Sequence, residues 1–273
     1  MKTIRYAAIG DIGIDIYPKL GKRFPGGMAL NSAYHAHATL ADSSVVSAVG
    51  DDAEARFIRN FLKKNTILAE ALEVVHGKTD TVEITLDARA RPQYGTWNLG
   101  VLTKYRLTKK QKQYLHTQDT AVAVHLPQLR RMFDDFASLT LPHTLKVADF
   151  TDLSEHKGNQ DILREYVDCF NVFALSIDEK IEERLDSFEE FVVKNSKIGV
   201  ALLGEKGSKV FHNRKQYAQH AIKTNIVDTT GAGDAYLATF LVEYFQDMPI
   251  SYAMKKATNA ASWVIQKYGA VQL

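Results

Sequence analysis

Short apolar runs alternate with amphipathic stretches along this chain. Runs rich in Val, Ile, Ala and Phe predict strands at 3–9, 44–49, 121–125, 145–149, 172–176 and 198–203. Between them apolar residues recur at helical spacing and predict helices at 29–40, 53–64, 127–138, 160–169, 179–194, 233–246 and 251–268. Strands this uniformly apolar need cover on both faces, and strand–helix alternation supplies it in a parallel sheet. The expected fold is α/β: a doubly wound, mainly parallel sheet with helices on both faces, spanning 1–273 as one domain. Two regions break the rhythm. Residues 10–23 alternate at Ile12, Ile14 and Ile16, and 72–103 holds several strand patterns, cleanest at 81–86, with no helix. Together they predict a small sheet set apart, a lid over the carboxyl ends of the main strands, where α/β proteins bind ligands. An apolar face on such a sheet needs a cover, which predicts a homodimer through the lid.

The most informative pattern is DTTGAGDAYLATFL at 228–241. Leu237, Phe240, Leu241, Tyr244 and Phe245 fall on one helical face, so a helix starts near 231–233. The first N–H groups of a helix lack internal partners, and with the helix dipole they attract an anion. Gly231, Ala232 and Gly233 are small enough to let a phosphate approach that backbone. Asp234 stands in the first turn, placed to take a hydroxyl proton as a phosphoryl group arrives. The plainer reading is a glycine-rich loop in which Thr229 or Thr230 caps the helix and Asp234 suits its positive end.

Weaker patterns carry paired readings that the sequence leaves open. FPGGMALN at 24–31 offers ligand contacts from the Gly26 and Gly27 backbone and from the Asn31 amide, or is only a loop and cap. In GDIGID at 10–15, Asp11 and Asp15 either grip sugar hydroxyls or serve a turn. LLGEKGS at 202–208 places Gly204 and Gly207 in a nucleotide-facing turn or a plain hairpin. ALSIDE at 174–179 ends in Glu179, which either orders water around magnesium or begins a helix. His35 and His37 are two residues apart and point to different sides of a helix, so they read as packing or surface residues, not metal ligands. No P-loop, dinucleotide fingerprint, zinc-protease or nucleophile-elbow motif is present.

Composition narrows the classes. Over 273 residues, 45% are hydrophobic and 24% charged, which is ordinary globular usage. A net charge of +2 gives no field for nucleic acid or a membrane surface, and no segment reaches membrane-spanning length. The single cysteine, Cys169, suits a reducing compartment, and acids at Asp11 and Asp15 speak against a signal peptide; a cytoplasmic location is expected.

Taken in order, GDIGID, GG with Asn31, VGDD at 49–52, Glu179, LLGEKG and DTTGAGD resemble the ribokinase/PfkB-type sugar kinases across nearly the whole chain. The resemblance implies a ribokinase-like fold with a β lid and phosphorylation of a sugar hydroxyl by ATP with Mg2+. It implies that Asp234 is the catalytic base and that Gly231, Ala232 and Gly233 form the anion hole. Asp15, Gly26, Gly27 and Asn31, with Asp11 nearby, match sugar contacts. Gly204, Gly207 and Asn259 fall to the nucleotide, Glu179 to magnesium through water, and Asp228 to a monovalent cation such as K+ found in some members. Ser176 stands where the glutamate motif has asparagine, and Leu202 where many members have threonine. Within the family, GDIGIDIYP, FPGGMALN, VGDD and the short chain look most like kinases of fructose-amino acids. The lid segment RARPQYGTWNLG fits that, with Tyr94 and Trp97 to stack on an arm, Asn98 beside them, and Arg89 and Arg91 to pair with its carboxylate. The same lid residues also fit an ordinary surface. The other expected acceptors are fructose, ribose or a related sugar. The rival from another class is a non-catalytic sugar- or nucleotide-binding sensor on the same fold.

Overall fold

The computed structural model describes residues 3–152, 159–177 and 181–273. The chain begins with β1 (Arg5–Ile9), a hairpin of β2 (Gly13–Tyr17) and β3 (Lys22–Gly26), α1 (Met28–Ala38), β4 (Asp42–Val49) and α2 (Ala53–Lys64). It continues through β5 (Leu72–Val74), β6 (Asp80–Leu86), β7 (Pro92–Asn98), α3 (Lys109–Leu115), β8 (Thr120–Val124), α4 (Arg130–Ala137), β9 (Leu145–Asp152) and α5 (Ile162–Glu165). The last part is β10 (Val172–Ser176), α6 (Ile181–Lys194), β11 (Ile198–Leu202), β12 (Ser208–His212), β13 (Lys215–Gln219), α7 (Ala232–Phe245) and α8 (Ile250–Val264).

Nine strands form one sheet in the order β13-β12-β11-β10-β9-β8-β1-β4-β5. Every neighbour from β11 to β5 is parallel; β12 and β13 close the other edge antiparallel. Successive residues of a strand feed opposite layers. Tyr6 and Ala8 join a core with α1, α2, α7 and α8, while Ala7 and Ile9 join a second core with α3, α4 and α6. That two-sided burial is why these strands read as continuous apolar runs. The doubly wound expectation stands.

A second sheet has the order β3-β2-β6-β7. It runs parallel between β2 and β6 and antiparallel elsewhere. Its two faces differ. Ile14 and Ile16 pack into the first core, where Ile58, Phe61 and Leu62 of α2 also lie. Tyr17, Phe24 and Ile84 form a small cluster with Tyr268 near the C-terminus. The apolar face of this sheet is thus covered within the chain.

Several boundaries differ from expectation. Residues 72–74 belong to the edge of the large sheet, paired with 47–49, and not to the lid. The expected helix at 160–169 is helical only at Ile162–Glu165. Helix α3 was unexpected; Thr108 and Gln111 cap each other reciprocally, a Thr-x-x-Gln signal without a long apolar stripe to announce it. Strand β13 was also missed. It is an exposed edge strand with little apolar content. Among the described residues no helix is long and apolar enough to cross a membrane.

Candidate active site

The motif loop is built around Asp228. Its Oδ1 accepts from the Thr230 N–H and hydroxyl, at 2.9 and 2.6 Å. Its Oδ2 accepts from the Tyr17 hydroxyl at 2.7 Å and the Gly269 N–H at 2.9 Å. Four donors make this buried aspartate the hub that ties the loop to the lid and to the C-terminus. A monovalent cation here would need neighbouring backbone carbonyls, since the carboxylate is already occupied.

Gly231 then turns the chain into α7. Its φ is +78°, and a Cβ there would stand 2.2 Å from that of Ala270, so only glycine fits. The helix has no side-chain cap. The N–H groups of Gly233 and Asp234 have no acceptor among the described residues. Neither threonine therefore acts as the N-cap of the plainer reading; the helix start is open, with 231–233 half-buried at the surface of a cleft. An open helix start with small residues is an anion site by construction.

Behind it lies Asp234, 8% exposed, with one oxygen 2.8 Å from Nδ2 of Asn31 on α1. Burial holds its carboxyl well above the usual range; the Asn31 amide opposes this, and the charges of Asp149, Asp11 and Asp15 add to it. Asn31 Oδ1 is buried and has no hydrogen-bond partner among the described residues. Asp11 follows β1, caps α1 through the Met28 N–H at 3.2 Å, and is pushed up to about 6, mainly by burial. On β2, Asp15 lies over Gly26, where a Cβ would meet the carboxylate carbon at 2.2 Å. Gly26 is needed for that close approach, and Gly27 turns the chain into α1. The structure thus gathers Asp11, Asp15, Gly26, Gly27, Asn31 and Asp234 beside Gly231, Ala232 and Gly233 at the start of α7.

The other predicted residues are scattered or out of view. Gly204 and Gly207 flank a turn between β11 and β12; Leu202, at the end of β11, sits 3.4 Å from where a Gly233 Cβ would be. That brings the turn towards the open end of α7. Asn259 is exposed on α8. Glu179 lies outside the described residues. No cluster of three or more His, Cys, Asp or Glu among the described residues is arranged to hold a metal ion. His35 is buried against the Ala270 carbonyl at 3.0 Å, and His37 meets Thr66 at 2.9 Å.

Two acids escaped the sequence reading. Asp149, near the end of β9, is pushed up to about 6 by burial and acts on Asp234. Asp80 opens β6, accepts the Trp97 indole N–H at 2.7 Å, and is 3% exposed. Its signal was available: alternation in DTVEITL puts Asp80 on the face of Val82 and Ile84, an acid where an apolar residue is due. The lid is docked over all this. The Ala90 carbonyl at the β6–β7 tip takes the Thr229 N–H at 2.9 Å, directly beside the motif. Tyr94 on β7 lies opposite Ile84 and is 65% exposed.

Comparison with known proteins fits this geometry. The pfkB family carbohydrate kinase model matches residues 12–129 and 138–272. Fructoselysine 6-kinase of Escherichia coli K12 is 27% identical over 270 residues, covering 99% of this chain and 100% of the relative. The fructosamine kinase FrlD of Bacillus subtilis 168 is also 27% identical, over 98% of this chain and 93% of the relative. The crystal structure of adenosine kinase from Sinorhizobium meliloti superposes with a TM-score of 0.85 at 17% identity, covering 100% of this chain and 97% of that one. With a family model matched over most of its length, this chain belongs to the pfkB family of carbohydrate kinases, phosphotransferases whose acceptor is an alcohol group.

Proposed function

We propose that the enzyme transfers the γ-phosphoryl group of ATP to a primary hydroxyl of a fructosamine, fructoselysine or another fructose-amino acid. The observation that carries the reading is Asp234 beside the unpaired N–H groups of Gly233 and Asp234 at the start of α7. Those amides would hold the oxygens of the transferring group. Asp234, oriented by Asn31, would take the proton of the attacking hydroxyl. Gly204, Gly207 and Asn259 would lie along the nucleotide. Magnesium bound with ATP would neutralise phosphate charge, with Glu179 ordering its water. The lid, held by Tyr17 and Ala90, would keep water from the phosphoryl group. Replacing Asp234 with Asn tests the core of this: a folded variant with near wild-type turnover ends the assignment.

The acceptor rests on the names of the two relatives and on the lid. Arg89 and Arg91 flank Ala90 at the hairpin tip, whose carbonyl takes the Thr229 N–H; from there they would pair with an arm carboxylate. Trp97 and Asn98 stand with Asp80 at the opposite end of the β6–β7 hairpin. Comparing kcat/KM for fructoselysine, other fructose-amino acids, fructose and ribose decides the acceptor. Sugar binding without turnover of any would favour a sensor instead. Because α2 covers the apolar face of the lid, a homodimer is proposed only through the free edge of β7. Sedimentation showing a monomer at micromolar concentration removes it.

A further inference from the structure

The lid buries more acids than a neutral sugar has reason to meet. Asp15 is 4% exposed, and no donor among the described residues reaches its carboxylate. The β2–β6 register places Asp80 opposite Gly13, on the same face as Asp15. A Cβ at Gly13 would stand 2.9 Å from the Asp80 Cβ, as one at Gly26 would strike the Asp15 carboxylate. The two glycines therefore leave a cradle in which both acids lie close to the backbone. Asp11 adds a third charge beside them. Among the described residues no Lys, Arg or His pairs with Asp11, Asp15 or Asp80, and no cluster is arranged for a metal ion. Buried like charges without a counter-charge are costly, so they accept either protons or a cation.

The charges have an order. Asp234 meets Asn31 on α1, Asp15 lies over Gly26 just before α1, and Asp80 lies opposite Gly13, one pleat further along the face of Asp15. A sugar whose hydroxyl meets Asp234 therefore presents its far end to Asp80. We infer that Asp80, together with Asp15, is the counter-charge for a protonated amine at that far end, and that Asp80 sets the preference for aminated over neutral sugars. The inference rests on the acceptor proposed above and names how it is selected. In a 1-amino-1-deoxyfructose the nitrogen and the primary hydroxyl at C6 occupy opposite ends of the carbon chain. A hydroxyl can donate to Asp15 but cannot neutralise it; a secondary ammonium does both, and a charged hydrogen bond is worth about ten- to a hundredfold in binding. Burial and the charge of Asp11 hold Asp15 and Asp80 each up to about 8. A bound cation draws them into the ionised state, so the amine releases protons on binding and a neutral sugar does not. The other ionisable groups facing this space are Asp228, Tyr94 and Asp234.

The test uses the full chain and two sugars, a 1-alkylamino-1-deoxyfructose and its uncharged N-acetyl analogue. The ratio of their kcat/KM values is measured in the wild type and in Asp80→Asn, which keeps an acceptor for Trp97. Calorimetry in two buffers of different ionisation enthalpy counts the protons released. The expected result is a ratio that falls about ten- to a hundredfold in the variant, with fewer protons released. An unchanged ratio, or an equal loss on both sugars, overturns the inference. If Asp80→Asn does not fold, wild-type calorimetry decides it: equal proton release by amine and analogue overturns it. A wild type that binds the amine with proton release but phosphorylates neither sugar keeps the counter-charge and ends the kinase reading instead.

Discussion

The two sheets of this protein are built on opposite terms. The large sheet buries Val, Ile, Ala and Phe on both faces, and hydrophobic burial alone accounts for its order. The lid sheet buries Ile14 and Ile16 on one side; on the other it encloses Asp15 and Asp80 beside glycines, next to the small cluster of Tyr17, Phe24 and Ile84. The large sheet gives stability and the lid consumes part of it. That division is physical: a site that binds charge must hold desolvated charge before the ligand comes, and the element that carries it must be anchored elsewhere.

The comparison breaks most easily in the large body. Phe240 on α7 is fully buried between Tyr236 and Tyr244, with ring centroids at 6.4 and 5.9 Å. Phe240→Ala should cost about 3–5 kcal/mol and lower the thermal midpoint of the whole chain. A loss below about 1 kcal/mol in denaturant unfolding would mean that this core is not the source of stability.

The lid should yield less. Tyr17→Phe removes the hydroxyl that binds Asp228, a charged hydrogen bond worth about 1.5–3 kcal/mol. The expected result is faster amide exchange in β2, β3, β6 and β7 and a raised KM, with the large sheet protected as before. Uniform exchange through both sheets would show that the lid has no separate stability.

The smallest effect sharpens the contrast between the buried acids of the lid and buried His35 of the large body. Asp15 and Asp80 have folded pKa values of about 8 and Asp11 about 6, above the unfolded range near 4. Each favours folding below its unfolded pKa, and that contribution is lost as pH rises through the folded value. In the large body, burial lowers the His35 pKa to about 4, so its contribution is lost as pH falls from about 6.5 towards 4. The ligand-free protein should therefore melt lower on both sides of a mildly acidic optimum. Asp80→Asn should flatten the alkaline side and leave the acid side unchanged. Thermal melts across pH measure this, and an alkaline slope identical in the variant would show that Asp80 carries no net charge cost.

Much of the site was legible in the chain because it is local. DTTGAGD and the apolar stripe after it announce an open helix start within a dozen residues. The glycines at 26 and 27 announce a close approach, though not to which side chain. Asp149 was not legible, since it is a single acid in a strand whose partners lie far along the chain; Asp80 was legible only as an acid on an apolar face, without its place beside Asp15. Residues 72–74 were misplaced for the same reason: three residues of strand pattern do not say which sheet they join.

By itself the sequence determined the alternation of strands and helices, the two-sided burial of the large sheet, and the anion-binding turn. These follow from periodicity and backbone sterics acting over a few residues. Only the tertiary structure decided that Asn31 meets Asp234, that Tyr17 and Gly269 meet across Asp228, and that Gly13 lies opposite Asp80. Those contacts join residues 41 to 211 positions apart, or hang on strand register. A shift of one residue would turn Asp80 away from Asp15, and the burial of Ile84 with Tyr17 and Phe24 on the same face is what prevents it.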